Sequence, residues 1–69
     1  MNRCQTKIWN LLVKKGKLSQ KDISKETEYS LQWVSYHINK MVEDNLLITE
    51  DYKPLGKTPY KLYGVKRND

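Results

Sequence analysis

Residues 29–46 read YSLQWVSYHINKMVEDNL, with Leu31, Val34, Ile38, Met41 and Val42 spaced as one side of an α-helix. Ser30 stands where an N-cap belongs, its hydroxyl placed to accept a backbone N–H that the helix leaves unpaired. Tyr29 before the cap and Val34 after it form the pattern of a hydrophobic staple. Asn45 follows the last apolar turn and tolerates the left-handed geometry that closes a helix. At about 100° per residue, the face opposite the apolar stripe carries Gln32, Trp33, Tyr36 and Lys40, with Asn39 and His37 on its flanks. That face has no acid near its middle and is rich in groups that donate and accept hydrogen bonds. It is patterned as a recognition surface.

Upstream, residues 2–15 read as a first helix, with Asn2 and Gln5 as a capping pair and Gly16 as its stop. Cys4, Ile8, Leu11 and Leu12 make its inward stripe. Trp9 and Val13 widen the apolar arc beyond one core face. They either cover another part of the same chain or form the contact between two copies. Lys17-Leu18 reads as a short extended link. Ser19 and Asp22 then make a capping box for a short helix, roughly residues 20–27, whose charges alternate as on an exposed scaffold.

Downstream of Asn45 the apolar period changes from about 3.6 to about 2, which predicts strands near residues 46–50 and 60–63. Between them, residues 51–58 are punctuated by Pro54 and Gly56 and read as a long hairpin tip. From Tyr52 onward the cations are Lys53, Lys57, Lys61, Lys66 and Arg67, against Asp69 alone. The basic excess therefore concentrates in the hairpin and tail.

The chain has 69 residues, thirteen Lys and Arg against eight Asp and Glu, a net charge of +5 and a pI near 9.4. A surplus of that size points to an anionic partner, nucleic acid first, with plain solubility as the alternative. The size suits one small domain spanning residues 1–69, with a core expected over about residues 6–65. One cysteine excludes an internal disulfide and is too few thiols for a zinc site. No apolar run is long enough to span a bilayer, so a cytoplasmic setting is expected.

Helix, short helix, turn, helix and basic hairpin is the order of an α+β winged helix-turn-helix, three helices followed by a two-stranded β-hairpin wing. The residues Leu18-Ser19-Gln20-Lys21-Asp22-Ile23-Ser24, Val34-Ser35-Tyr36-His37-Ile38-Asn39-Lys40-Met41 and Asp44-Asn45-Leu46-Leu47 resemble the ArsR/MarR-type regulators of bacteria and archaea. Gly56-Lys57 and Tyr60-Lys61-Leu62 match the return strand of their wing. Two substitutions depart from that pattern. Glu28 occupies a turn position where glycine is frequent, which implies either a different bend or strain, and Asn45 replaces the glycine before the wing. The metal-binding Cys and His clusters of ArsR-type sensors are missing, so neither metal sensing nor a cofactor is expected. No C-terminal dimerisation helix follows the wing, which leaves Trp9 and Val13 as the expected contact of a homodimer, at least on DNA. Small regulators of phages, plasmids and archaeal viruses share such a minimal form.

The resemblance implies a duplex-DNA-binding transcriptional regulator, a repressor in its simplest form, with residues 31–44 in the major groove and the wing at 51–58 on the adjacent backbone or minor groove. Gln32 and Asn39 are the side chain types that pair bidentately with adenine, and Lys40 can reach guanine or phosphate. Trp33, Ser35, Tyr36 and His37 complete the recognition-helix set, and Lys53, Lys57 and Lys61 form the wing set. The alternative is a protein-interaction module using Trp9 and Trp33. A left-handed-duplex reader fits poorly, because Ser35 and Asn39 stand at its Asn and Tyr positions. No enzyme is expected: His37 has no nucleophile or acid held against it in sequence, and Cys4 at an inward position suits a small core residue.

Overall fold

The computed structural model describes residues 2–66. Its elements run α1 (Arg3–Lys15), β1 (Leu18–Ser19), α2 (Gln20–Thr27), α3 (Leu31–Glu43), β2 (Leu47–Tyr52) and β3 (Tyr60–Val65). Each helix begins where a capping side chain was expected. Asn2 Oδ1 accepts from Gln5 N at 2.8 Å, Ser19 Oγ from Asp22 N at 3.2 Å and Ser30 Oγ from Trp33 N at 3.2 Å. Their ends are set with equal economy. Gly16 turns to φ 88° and donates to the Leu12 carbonyl at 2.8 Å, closing α1. After α3, Asn45 adopts φ 60°, with Asn45 N on Val42 O at 3.0 Å and Leu46 N on Met41 O at 2.9 Å. That pair of bonds is a Schellman closure, with asparagine in the place glycine usually takes.

The inner stripe of α3 contributes Val34, Ile38 and Met41, all fully buried against Ile8 and Leu12 of α1, Ile23 of α2, Leu47 of β2 and Tyr63 of β3. Each such aliphatic side chain gains about 1.5–3 kcal/mol on leaving water, so this cluster supplies most of the driving force in so short a chain. Leu31 departs from the expected stripe. It is 52% exposed, because the first turn of α3 projects beyond the core toward the hairpin.

The sheet has three strands in the order β1-β3-β2, where a two-stranded wing was expected. Leu18, expected with Lys17 as a short extended link, and Ser19, expected as a helix cap, pair antiparallel with Tyr63 and Leu62 of β3. Local periodicity carries no trace of this, since the pairing partner lies more than forty residues on in the chain. β2 and β3 form the hairpin proper, from Leu47↔Val65 to Tyr52↔Tyr60. Asp51 and Tyr52 belong to the strand, so the tip is residues 53–59. Lys17 forms an ion pair with Glu50, and its stem lies over Gly64, where an added Cβ would stand 3.0 Å from Lys17 Cγ. Of the basic tail, Arg67 lies outside the described residues. Among the described residues no helix is long and apolar enough to cross a membrane, and no cluster of three or more His, Cys, Asp or Glu could hold a metal ion.

The bend between α2 and α3 decides where the outward face of α3 points. Glu28 occupies it at φ 66°, ψ 10°, the left-handed conformation that glycine fills without strain. Side chains on both sides hold it there. Ser24 Oγ donates to the Tyr29 carbonyl, and buried Thr27 Oγ1 donates to Ile23 O at 2.7 Å while receiving Tyr29 N at 3.4 Å. Lys7 Nζ sits 5.2 Å from the centre of the Tyr29 ring, tying α1 to the same bend. A left-handed non-glycine residue costs about 1–2 kcal/mol, whereas the extra freedom of an unfolded glycine costs about 0.4–1 kcal/mol. Glu28→Gly is therefore expected to raise the denaturation midpoint, by about 0.5–1 kcal/mol in stability. A lowered midpoint would contradict a strained bend.

Candidate nucleic-acid interface

Once Val34, Ile38 and Met41 face inward, the helical period exposes Gln32, Trp33, Tyr36, Asn39 and Lys40. Trp33 is 46% exposed and Tyr36 is 56% exposed. Lys40 Nζ lies 5.8 Å from the centre of the Tyr36 ring, a cation over an aromatic face one helical turn away. Ser30, Gln32, Trp33 and Tyr36 line a shallow depression on this side of α3. The outward side of α3 therefore combines an amide, two aromatic rings and a cation in one solvent-facing strip. Ser35 is half-buried at its edge.

His37 is placed differently from the sequence-based expectation. It is only 4% exposed and so is not available as a direct contact. The helical period puts it on the flank of α3, but α1 covers that flank. Gln5 Nε2 lies 3.4 Å from His37 Nδ1. The imidazole packs edge-to-face on Trp33, with ring centres 4.5 Å apart, and on Tyr36, at 5.2 Å. His37 thus supports the two exposed rings from beneath.

A second feature was only half legible. An open cleft of about 690 Å³ runs between the start of α2, the start of α3 and the returning strand of the hairpin. Lys21, Lys57 and Lys61 line it together with Thr58, Leu31 and a single acid, Asp22. Lys57 and Lys61 were expected from the sequence. Alternating charge along α2 marks Lys21 in the sequence as part of an exposed scaffold helix, and only the folded hairpin brings it into the cleft. The capping pair Ser19 and Asp22 was the available signal, because it fixes Lys21 in the first turn, at the positive end of the helix dipole. Gln20 Nε2 donates to the phenol of Tyr63 at 3.2 Å, fastening the start of α2 to β3. Lys17, engaged by Glu50, is turned to another use. Lys53 is exposed on the hairpin tip.

Trp9 is half-buried and packed against the core of its own chain, while Val13 is 48% exposed. Of the two tryptophans, Trp33 is thus the exposed one.

A helix–turn–helix followed by a hairpin, with a polar-aromatic face on the second of the paired helices and cations in the cleft beneath the hairpin, defines a winged-helix nucleic-acid-binding domain. The family model for the winged helix-turn-helix DNA-binding domain matches residues 1–48, and the chain belongs to that family. Among solved structures, Stf76 from the Sulfolobus islandicus plasmid-virus pSSVx has the same fold, with a TM-score of 0.84, 13% identity, and coverage of 99% of this chain and 87% of Stf76. A comparison with curated proteins returns no match.

Packing of His37 beneath the surface leads to a measurable distinction. His37→Phe keeps an aromatic ring in place while removing the Gln5 contact at Nδ1 and the unpartnered buried Nε2, opposing effects that should leave stability within about 1–3 kcal/mol of wild type. DNA affinity of the folded variant should stay within about threefold, less than 1 kcal/mol. A loss of about tenfold or more in affinity at unchanged stability would mean that His37 touches the nucleic acid directly.

Proposed function

We propose that the chain is a sequence-reading duplex-DNA-binding transcriptional regulator that represses by occupying its site. One observation carries the orientation: the cleft lined by Lys21, Lys57 and Lys61 opens beside Leu31, at the very start of the exposed strip of α3. A phosphate strand lying in that cleft brings the edge of a major groove against Gln32, Tyr36, Asn39 and Lys40. The hairpin then lies over the neighbouring backbone or minor groove, with Lys53 and Lys57 toward it. Gln32 and Asn39 read base edges, adenine being the base their amides match. Trp33 and Tyr36, propped by His37, pack on sugars or thymine methyl groups.

Repression by occupancy needs no surface beyond these contacts, which is why we favour it over activation. One module buries only about 600–1,000 Å² on DNA, so two copies on neighbouring half-sites would sharpen selection. Exposed Val13, with Trp9 half-buried behind it, is the apolar part of α1 available for such pairing. The shared fold with a plasmid-virus protein supports an origin in a small mobile genetic element of an archaeon or bacterium.

Engagement of about five cations gives an affinity that falls with salt at a log–log slope of about −4 to −5. Helix and wing should then separate in a competition between a selected duplex and random DNA. Gln32→Ala removes pairing that only certain sequences satisfy, worth about 1–3 kcal/mol of discrimination, and so narrows the gap between the two. Lys57→Ala removes a phosphate contact common to every duplex, weakening both alike and reducing the salt slope by about one unit. If Lys57→Ala erased the preference while Gln32→Ala left it intact, the hairpin would be the reader and the proposed orientation on DNA would be wrong.

A further inference from the structure

The most exposed large apolar side chain among the described residues is Leu55, at 100% of its accessible surface, on the outermost turn of the hairpin. Its position is built rather than incidental. Lys57 N donates to the Pro54 carbonyl at 3.4 Å, closing a four-residue turn in which Gly56 has φ 73°. A positive φ at the third position is the mark of a type II turn, which sets the second residue, Leu55, at the apex. An added Cβ at Gly56 would meet nothing within 4 Å, so the glycine serves the backbone angle and not a close contact. Below the turn, Tyr52 pairs with Tyr60 across the hairpin, their rings 5.3 Å apart. Aromatic cross-strand pairs stiffen such a ribbon. The apex thus presents a leucine on a braced arm, between Lys53 and Lys57.

An isolated exposed leucine on a protein surface is ordinary. Here it stands between two cations on the element that, under the function proposed above, lies along a DNA groove. Cations on either side draw the tip to a path of phosphates, and an apolar tip between them has only the stacked base pairs to enter. We propose that Leu55 is a wedge that inserts from the minor groove between two base pairs, unstacking them and bending the duplex. Apolar side chains used in this way repay unstacking by removing their surface from water. The cost of opening a step is lowest at flexible pyrimidine–purine steps such as TA and CA. Leu55 therefore selects sequence by deformability, at a position where no polar side chain reads a base, and its readout is independent of Gln32 and Asn39. This inference rests on DNA binding through the wing but not on the identity of the bases that α3 reads.

The test uses the whole chain and a duplex selected by it from a random pool, with a fluorescent adenine analogue that brightens on unstacking moved one position at a time. The wild-type protein should raise emission severalfold at one position toward the edge of the protected site, with a pyrimidine–purine step there. Leu55→Ser should abolish that rise and the preference for the flexible step, while leaving the salt slope unchanged because both lysines remain. Since the side chain makes no packing contacts, the melting temperature should not move. Retention of the duplex by the wild-type protein with no brightening at any position would overturn the wedge and leave DNA binding standing. Equal brightening by Leu55→Ser would overturn it as well. Loss of self-association in Leu55→Ser, with unchanged brightening, would assign the apex to a second copy instead. Failure of the wild-type protein to hold any duplex at low salt would remove the proposed function itself, and the wedge with it.

Discussion

The burial of one face of α3 determines what the other face can do. Val34, Ile38 and Met41 lose all exposure to water against Ile8, Leu12, Ile23, Leu47 and Tyr63. In a helix the two faces are coupled by its period, so locking the inner residues fixes the azimuth of Gln32, Tyr36 and Lys40. A chain this short has no second layer with which to correct a misplaced helix. Rotation of α3 by one residue would bring Ser35 and Asn39 into the core and put Val34 or Ile38 into water. The outward face of α3 is held in place by the apolar packing of the inner one.

Two restraints then set where that face lies relative to the hairpin. The bend at Glu28 fixes the angle between α2 and α3 and keeps a left-handed residue in place through Ser24 and Thr27. The short strand β1 holds the start of α2 against β3, with Gln20 on the phenol of Tyr63 adding a side-chain bond at the same place. Strand β3 lies at the centre of the sheet and joins the start of α2 to the hairpin. Because it also carries Lys61 and leads out of the tip that bears Lys57, the cationic cleft and the helix face are joined through one set of contacts.

Features encoded within a few residues of one another were legible in the sequence. Asn2, Ser19 and Ser30 announced the helix starts, Gly16 and Asn45 their ends, and Glu28 an unusual turn, either bent differently or strained, because capping and backbone preferences act locally. Features created by distant contacts were not. The β1 pairing depends on residues in β3, and two residues show no period. His37 has a flanking position on its own helix and becomes buried between Gln5 of α1 and the rings of Trp33 and Tyr36. Leu31 falls in register with Val34 and Ile38, yet one turn beyond the last neighbour able to cover it. Lys21 belongs to an alternating surface pattern until the hairpin is folded across from it. The exposed members of the candidate site, Gln32, Trp33, Tyr36, Asn39 and Lys40, followed directly from the period of the helix.

One continuous surface, composed of the start of α2, the outward strip of α3 and the hairpin tip, is proposed to meet duplex DNA. Backbone amide resonances of the whole chain, followed by NMR as a duplex is added at low salt, test this directly and do not require the preferred sequence to be identified first. Docking through that surface predicts shifts confined to the amides of Gln20 and Lys21, of residues 30–40 and of residues 53–61, with Trp9 and Val13 and the middle of α1 moving only if two copies associate. Shifts centred on α1 and the far side of α2, with residues 30–40 and the hairpin unmoved, would contradict it.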